Sequence, residues 1–114
     1  MDRVVVKIAK DYTRTPGPRY AKEGANSAEV FRETKFAKIV KDAIASNQDI
    51  VVDLDGAVGY GTSFLEEIFG GLIRQDNVSY DEFVKRLTIV SKEEPYLIQD
   101  IQSYLKQAAE CGKK

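Results

Sequence analysis

Histidine is absent from this chain and cysteine occurs once, so several kinds of catalytic site cannot be built from it. Without histidine there is no Ser-His-Asp triad and no Cys-His nucleophile. A zinc site of the usual cysteine and histidine type is excluded as well. We therefore predict no metal site, no cofactor and no enzyme activity, and we expect a binding module.

Long apolar runs and a surplus of positive charge are also missing. The longest apolar run is too short to span a bilayer, and Met1 is followed closely by a predicted strand rather than by a signal peptide. Lys and Arg number 17 against 18 for Asp and Glu, and both signs are spread along the chain. A nucleic-acid surface would need clustered basic residues. We expect a cytoplasmic protein with no internal disulfide at Cys111, no membrane contact and no nucleic-acid partner.

The length of 114 residues is typical of one domain with one core. We assign the domain to residues 1–110 and expect a flexible tail over 111–114. Helices are predicted to begin near Ser27, Ser63 and Pro95, with a short one after Ser79. The predicted strands are 4–8, 50–54 and 87–90. This alternation predicts an α/β fold, a small sandwich in which amphipathic helices cover a mixed, partly parallel sheet. The predicted core includes Val40, Val52, Leu54, Phe64, Ile68 and Ile101.

The stretch over residues 50–73, IVVDLDGAVGYGTSFLEEIFGGLI, carries the most information about function. An apolar strand leads into a glycine-bearing loop, and a helix opens at Thr62 and Ser63. Such junctions often hold ligands in α/β proteins, because a helix N-terminus offers unpaired N–H groups and a positive dipole end. Ser63 and Glu66 have capping-box spacing, so we predict that Thr62 or Ser63 caps this helix.

Asp53 and Asp55 lie on the same face of the predicted strand, near its end. Carboxylates in such positions usually cap turns or accept hydrogen bonds from arginine and backbone groups. The motif is also similar to the first motif of haloacid-dehalogenase-type phosphatases, where one aspartate is a nucleophile and the next a general acid beside magnesium. Too few residues follow Asp53 for that fold, and no later acidic pair appears. We therefore reject the phosphatase interpretation.

Two motifs resemble those of STAS domains, the fold of anti-sigma-factor antagonists. The first is VVDLDGA over residues 51–57, and the second is SFLEEIFG over residues 63–70. More closely, most of the chain, roughly residues 4–105, is similar to a STAS-like domain of unknown function found in bacterial and phage proteins. The resemblance implies an α/β fold and a regulatory role. In the antagonists a serine corresponding to Thr62 is phosphorylated, which makes Thr62 and Ser63 possible phosphorylation sites. Gly61 and Phe64 depart from the antagonist pattern around that serine.

We predict a non-catalytic regulatory module that binds another protein, and the resemblance suggests a kinase-like ATPase as that partner. The expected surface is the loop together with the outer side of the following helix. There Tyr60 would present an exposed aromatic ring, and Glu66, Glu67 and Arg74 would face solvent. The predicted binding residues are Asp55, Gly56, Tyr60, Thr62, Ser63, Glu66 and Glu67.

Two alternatives stay open. One is a nucleotide or phosphate sensor that uses the helix N-terminus at Thr62, with Arg19 of the loop over residues 16–20 as an anion-binding residue. The other is a phage-type inhibitor that blocks a host complex by surface mimicry. The sequence carries no signal that sets an oligomeric state.

Overall fold

Three parallel strands form the sheet in the computed structural model, which describes residues 2–112. They are β1 (Arg3–Lys7), β2 (Asp49–Asp53) and β3 (Leu87–Val90), in the order β1-β2-β3. The α/β class is confirmed, and each strand lies within a residue of its predicted position. The sheet is parallel throughout rather than mixed. Before each new strand, a helical crossover returns the chain to the end of the sheet at which the previous strand began.

Alternation along the strands gives the sheet two different faces. One face contributes its side chains to the hydrophobic core: Val4, Val6, Ile50, Val52, Leu87 and Ile89. The other face carries Val5, which is 43% exposed, and Thr88, which is also exposed. Consecutive crossovers that advance in one direction across a parallel sheet place their helices on the same side. The molecule is therefore a sandwich of two layers, one of strands and one of helices.

The first half of the chain contains one long helix with an unusual middle. After the short α1 (Ile8–Asp11) and a 3-10 turn (Ala21–Glu23), the chain enters α2 (Ala28–Phe31), a π-helical segment (Arg32–Phe36) and α3 (Ala37–Ala45) without a break. The Ser27 hydroxyl caps this helix by accepting the Val30 N–H at 3.2 Å, and the helix begins where the sequence predicts. The wider π-turn brings successive buried side chains onto one face. These side chains are Phe31, Arg32, Phe36, Ala37, Val40 and Ala43.

The second half supplies α4 (Thr62–Arg74), α5 (Tyr80–Arg86) and α6 (Tyr96–Gly112). The Ser79 hydroxyl caps α5 by accepting the Glu82 N–H at 3.3 Å, again as predicted. All six predicted core residues are at most 2% exposed. Residues 111 and 112 of the predicted tail belong to α6, and residues 113 and 114 lie outside the described part of the chain.

Candidate functional site

The predicted binding residues lie where β2 ends and α4 begins. The Asp53 carboxylate accepts the Asp55 N–H at 2.9 Å, which turns the chain directly after the strand. The Asp55 carboxylate in turn accepts the N–H groups of Lys92 and Glu93 at 3.1 and 3.0 Å. These bonds fasten the loop after β2 to the loop after β3. Both aspartates therefore serve the loop backbone, in line with their predicted role at turns.

Glycines shape the loop between Gly56 and Gly61. Gly56 adopts a φ of +95°, in the region that favours glycine, and its N–H donates to the Glu93 carboxylate at 3.0 Å. The Val58 N–H donates to the Arg14 carbonyl at 2.8 Å. The Val58 side chain is nevertheless 81% exposed, more than any other large hydrophobic residue of the described chain. An anchored loop thus presents an apolar side chain to solvent, a feature that sequence reasoning missed.

Tyr60 faces inward, so the prediction of an exposed aromatic ring at this position is wrong. Its hydroxyl donates to the Leu54 carbonyl at 2.8 Å, and its ring lies 6.1 Å from that of Phe64 between centroids. Burial, together with the negative charges of Asp53 and Asp55, raises the pKa of Tyr60 well above its usual value. Tyr60 thus anchors the loop to the core, which leaves the neighbouring Val58 as the exposed apolar side chain.

The capping prediction at α4 is also wrong. Gly61 occupies the N-cap position with an extended backbone (φ −78°, ψ 151°), and no side chain caps the helix. Thr62 and Ser63 are the first two helical residues, and both are exposed. Their hydroxyls accept none of the N–H groups of the first turn that the structure describes. Both hydroxyls are therefore accessible from solvent at the start of a helix.

Glu66 is held by two arginines. It accepts a hydrogen bond from Arg19 at 2.5 Å and forms an ion pair with Arg74. Burial works against the charge, but the hydrogen bonds from Arg74 and Arg19 outweigh it and hold the pKa of Glu66 below its usual range. Arg19 is therefore engaged with carboxylates in the folded protein, an arrangement that disfavours its anion-binding role.

The prediction that Glu67 faces solvent is wrong, because its side chain is only 1% exposed. It accepts hydrogen bonds from Arg19 at 3.2 Å and from Arg32 at 3.1 Å. The Arg32 side chain is itself only 2% exposed, which makes it one of the few buried charges of the described chain. Sequence reasoning missed Arg32 because its pairing with Glu67 depends on how the two helices pack. Glu67 thus belongs to the interior, whereas Thr62 and Ser63 at the start of α4 and Arg74 at its end are exposed.

The family model described as a STAS-like domain of unknown function matches residues 28–97. The chain belongs to this family. The match begins at the start of α2 and ends in the first turn of α6, so it contains the anchored loop and all of α4. No curated protein and no solved structure matches the chain.

A basic rim flanks the loop of this STAS-like domain. Lys7, Lys10 and Arg14 line a shallow cavity of about 360 Å³ together with Ala9, Asp55 and Gly56. All three cationic residues are exposed, and none takes part in an ion pair within the part of the chain that the structure describes. They precede the segment that the family model matches. We name Lys7, Lys10 and Arg14 the basic rim.

Two further findings bear on the kind of site. Over residues 2–112, no group of three or more histidine, cysteine, aspartate or glutamate side chains is arranged to hold a metal ion. Within the same range, no helix combines the length and the apolar character needed to cross a membrane. The residues described around the anchored loop thus include one exposed valine, two exposed hydroxyl-bearing residues and three cations without an ion pair.

Proposed function

We propose that this STAS-like domain is a non-catalytic regulatory module that binds another protein through the anchored loop and the start of α4. The main observation that supports this proposal is the exposure of Val58. A valine that is 81% exposed lies on a loop whose backbone is fixed by Arg14, Asp55 and Glu93. Because the loop is ordered before binding, docking would cost little conformational entropy.

The charges beside Val58 indicate what kind of surface the partner presents. Arg14 accepts the Val58 N–H through its carbonyl, and with Lys7 and Lys10 it outnumbers the single carboxylate, Asp55, that lines the neighbouring cavity. A partner with an apolar pocket and acidic residues would therefore be complementary. A kinase-like ATPase is the partner class implied by the resemblance to anti-sigma-factor antagonists. We propose such an ATPase as the partner.

Phosphorylation of Thr62 or Ser63 would regulate partner binding at this surface. A phosphate on either residue would add negative charge in the first turn of α4, where the helix dipole tolerates it. The same charge would oppose docking onto an acidic partner. We therefore expect Thr62→Glu to weaken partner binding while the circular dichroism spectrum and thermal midpoint stay unchanged, and Thr62→Ala to bind like the original protein.

A photo-crosslinking residue at Val58 tests the interface in the native host. The matched control carries the same crosslinker at Gln107, an exposed position on α6. We expect a specific protein to be captured at position 58 and not at position 107. With that protein purified, Val58→Asp should lower its affinity at least tenfold in titration calorimetry. Capture of the same proteins from both positions, or unchanged affinity of Val58→Asp, would place the interface elsewhere.

A further inference from the structure

An apolar groove of about 440 Å³ lies between α5, β3 and α6, away from the anchored loop. Its lining includes Val84 of α5, Leu87 and Ile89 of β3, and Ile98 of α6. Val84 is 39% exposed, and the other three side chains are partly exposed. Apolar side chains from three elements thus converge on a groove that is open to solvent.

The free edge of β3 lies beside this groove. β3 is the last strand of the sheet, and β2 is its neighbour on one side only. The Val90 carbonyl accepts the Leu54 N–H at 2.8 Å, so it faces the β2 side. In a parallel ladder the backbone groups of successive residues alternate between the two sides of a strand. The N–H and C=O groups of Ile89 therefore point away from β2, where they can pair with another strand.

The charge at the groove favours an acidic occupant. Among the residues that line it in the described part of the chain, Lys106 is the only charged one, and the neighbouring polar residues are neutral, such as Gln102. Lys106 is exposed and forms no ion pair within the described residues. A cation at the edge of an apolar groove favours an occupant that carries a carboxylate beside its apolar residues.

We propose that an extended segment of a partner protein adds to β3 as a fourth strand. Its backbone would pair with Ile89, one apolar side chain would enter the groove, and an acidic residue would lie near Lys106. Strand addition combines main-chain hydrogen bonds, which give affinity, with side-chain pockets, which give specificity. An extended segment fits better than a helix because a helix keeps its own N–H and C=O groups paired and leaves those of Ile89 unsatisfied.

A phage-displayed library of random octapeptides is the probe for this site. Peptides are selected on the original protein and counter-selected on Gln102→Trp, in which the indole occupies the groove; Gln107→Trp, on an exposed position outside the lining, is the matched control. We expect enriched peptides with alternating apolar residues and at least one acid. A synthetic peptide of that sequence should bind Gln102→Trp at least tenfold more weakly and Gln107→Trp equally well. N-methylation of successive residues of the peptide should abolish binding at alternate positions, those whose N–H groups face β3, and the Ile89 amide should shift in NMR spectra.

Three results would overturn the proposal. The first is no enrichment over the Gln102→Trp counter-selection. The second is a peptide that binds regardless of N-methylation, because such a peptide does not pair as a strand. The third is a dimer of the original protein that sediments as a monomer after Gln102→Trp, because the groove would then hold a second copy of this chain. None of these results bears on Val58, so this proposal and the proposed function can fail separately.

Discussion

Arg32 and Glu67 form an ion pair that is almost completely removed from water. The guanidinium Nη2 donates to Glu67 Oε2 at 3.1 Å, and the two side chains are 2% and 1% exposed. Arg32 also donates to Asp76 at 2.7 Å and to Gln75 at 2.9 Å. Burial opposes its charge, but the hydrogen bond and charge of Asp76, with those of Glu67, outweigh it and raise the pKa of Arg32 above its usual value. The network ties the π-helical segment to α4 and to the turn that follows it.

Arg32→Met tests how much this network stabilises the fold. The variant leaves the buried Glu67 carboxylate without its closest buried partner, and breaking such a pair typically costs about 3–5 kcal/mol. We expect a loss in that range in urea unfolding. The double variant Arg32→Met with Glu67→Leu also removes the buried carboxylate and should recover part of the loss. A loss of well under ~1 kcal/mol for the single variant would show that water already reaches this pair.

Alanine substitution at the two adjacent glycines of α4 should change the stability of the protein differently. A Cβ at Gly71 would lie 2.7 Å from both Cδ and Nε of Arg32, whose guanidinium is fixed by its partners. Overpacking of this kind costs about 1–3 kcal/mol, which exceeds the gain of ~1 kcal/mol from replacing glycine within a helix. We expect Gly71→Ala to lower the free energy of unfolding.

Gly70→Ala is the matched control. Its Cβ would approach only the ends of the Glu66 and Arg74 side chains, which are partly exposed and can rotate away. Thermal midpoints should therefore fall for Gly71→Ala and stay the same or rise for Gly70→Ala. Equal midpoints for the two variants would mean that Arg32 is not held in place as described.

The free energy of unfolding should depend on pH in the acidic range through the ionisation of Glu66. Its pKa in the folded state is below the usual value of 4.5, because hydrogen bonds from Arg74 and Arg19 outweigh the effect of burial. The stabilisation linked to this lowered pKa is fully present above the unfolded value and is lost as the pH falls through the folded one. Between neutral pH and the folded pKa of Glu66, the original protein should lose more stability than Glu66→Gln. Parallel curves of unfolding free energy against pH would contradict this.

Local signals explain why most of the fold could be predicted. Helices begin beside Ser27 and Ser79 as expected, because a capping hydroxyl needs only the first turn of its own helix. The β-branched strands are recognisable without knowledge of their partners. The parallel arrangement of the whole sheet was harder to predict, because it depends on where each crossover returns the chain.

The candidate site was less predictable because its side chains respond to tertiary contacts. Ser63 and Glu66 have capping-box spacing, yet Arg19 and Arg74 bind the Glu66 carboxylate and Gly61 takes the cap position. Tyr60 turns inward because the Leu54 carbonyl accepts its hydroxyl, a contact that no sequence pattern indicates. Val58 was overlooked since a valine in sequence gives no sign of its exposure.

Alanine substitutions at the helix starts should distinguish a hydroxyl that caps a helix from hydroxyls that do not. Ser27→Ala removes an oxygen that accepts the Val30 N–H and should cost about 1 kcal/mol in chemical unfolding. Thr62→Ala and Ser63→Ala remove hydroxyls that cap nothing, so each should change stability by less than about 0.5 kcal/mol. A cost of ~1 kcal/mol at position 63 would restore the capping role for that residue.

Tyr60→Phe tests whether the tyrosine anchors the loop that presents Val58. At neutral pH the variant loses the hydrogen bond to the Leu54 carbonyl, and we expect a cost of about 1 kcal/mol. Amide exchange over residues 56–61 should also accelerate, while exchange in β1 stays unchanged. Faster exchange throughout the sheet would instead show that Tyr60 supports the whole core.

The same variant should change the response to alkali. Burial and the charges of Asp53 and Asp55 raise the pKa of Tyr60 in the folded state above its usual value of 10.0. The unfolded chain therefore ionises first, and the stabilisation linked to the raised pKa is present below the unfolded value and lost as the pH rises toward the folded one. Between about pH 9 and 11, the original protein should lose more stability than Tyr60→Phe. If both proteins lose the same amount, the Tyr60 hydroxyl is hydrated in solution and does not hold the loop.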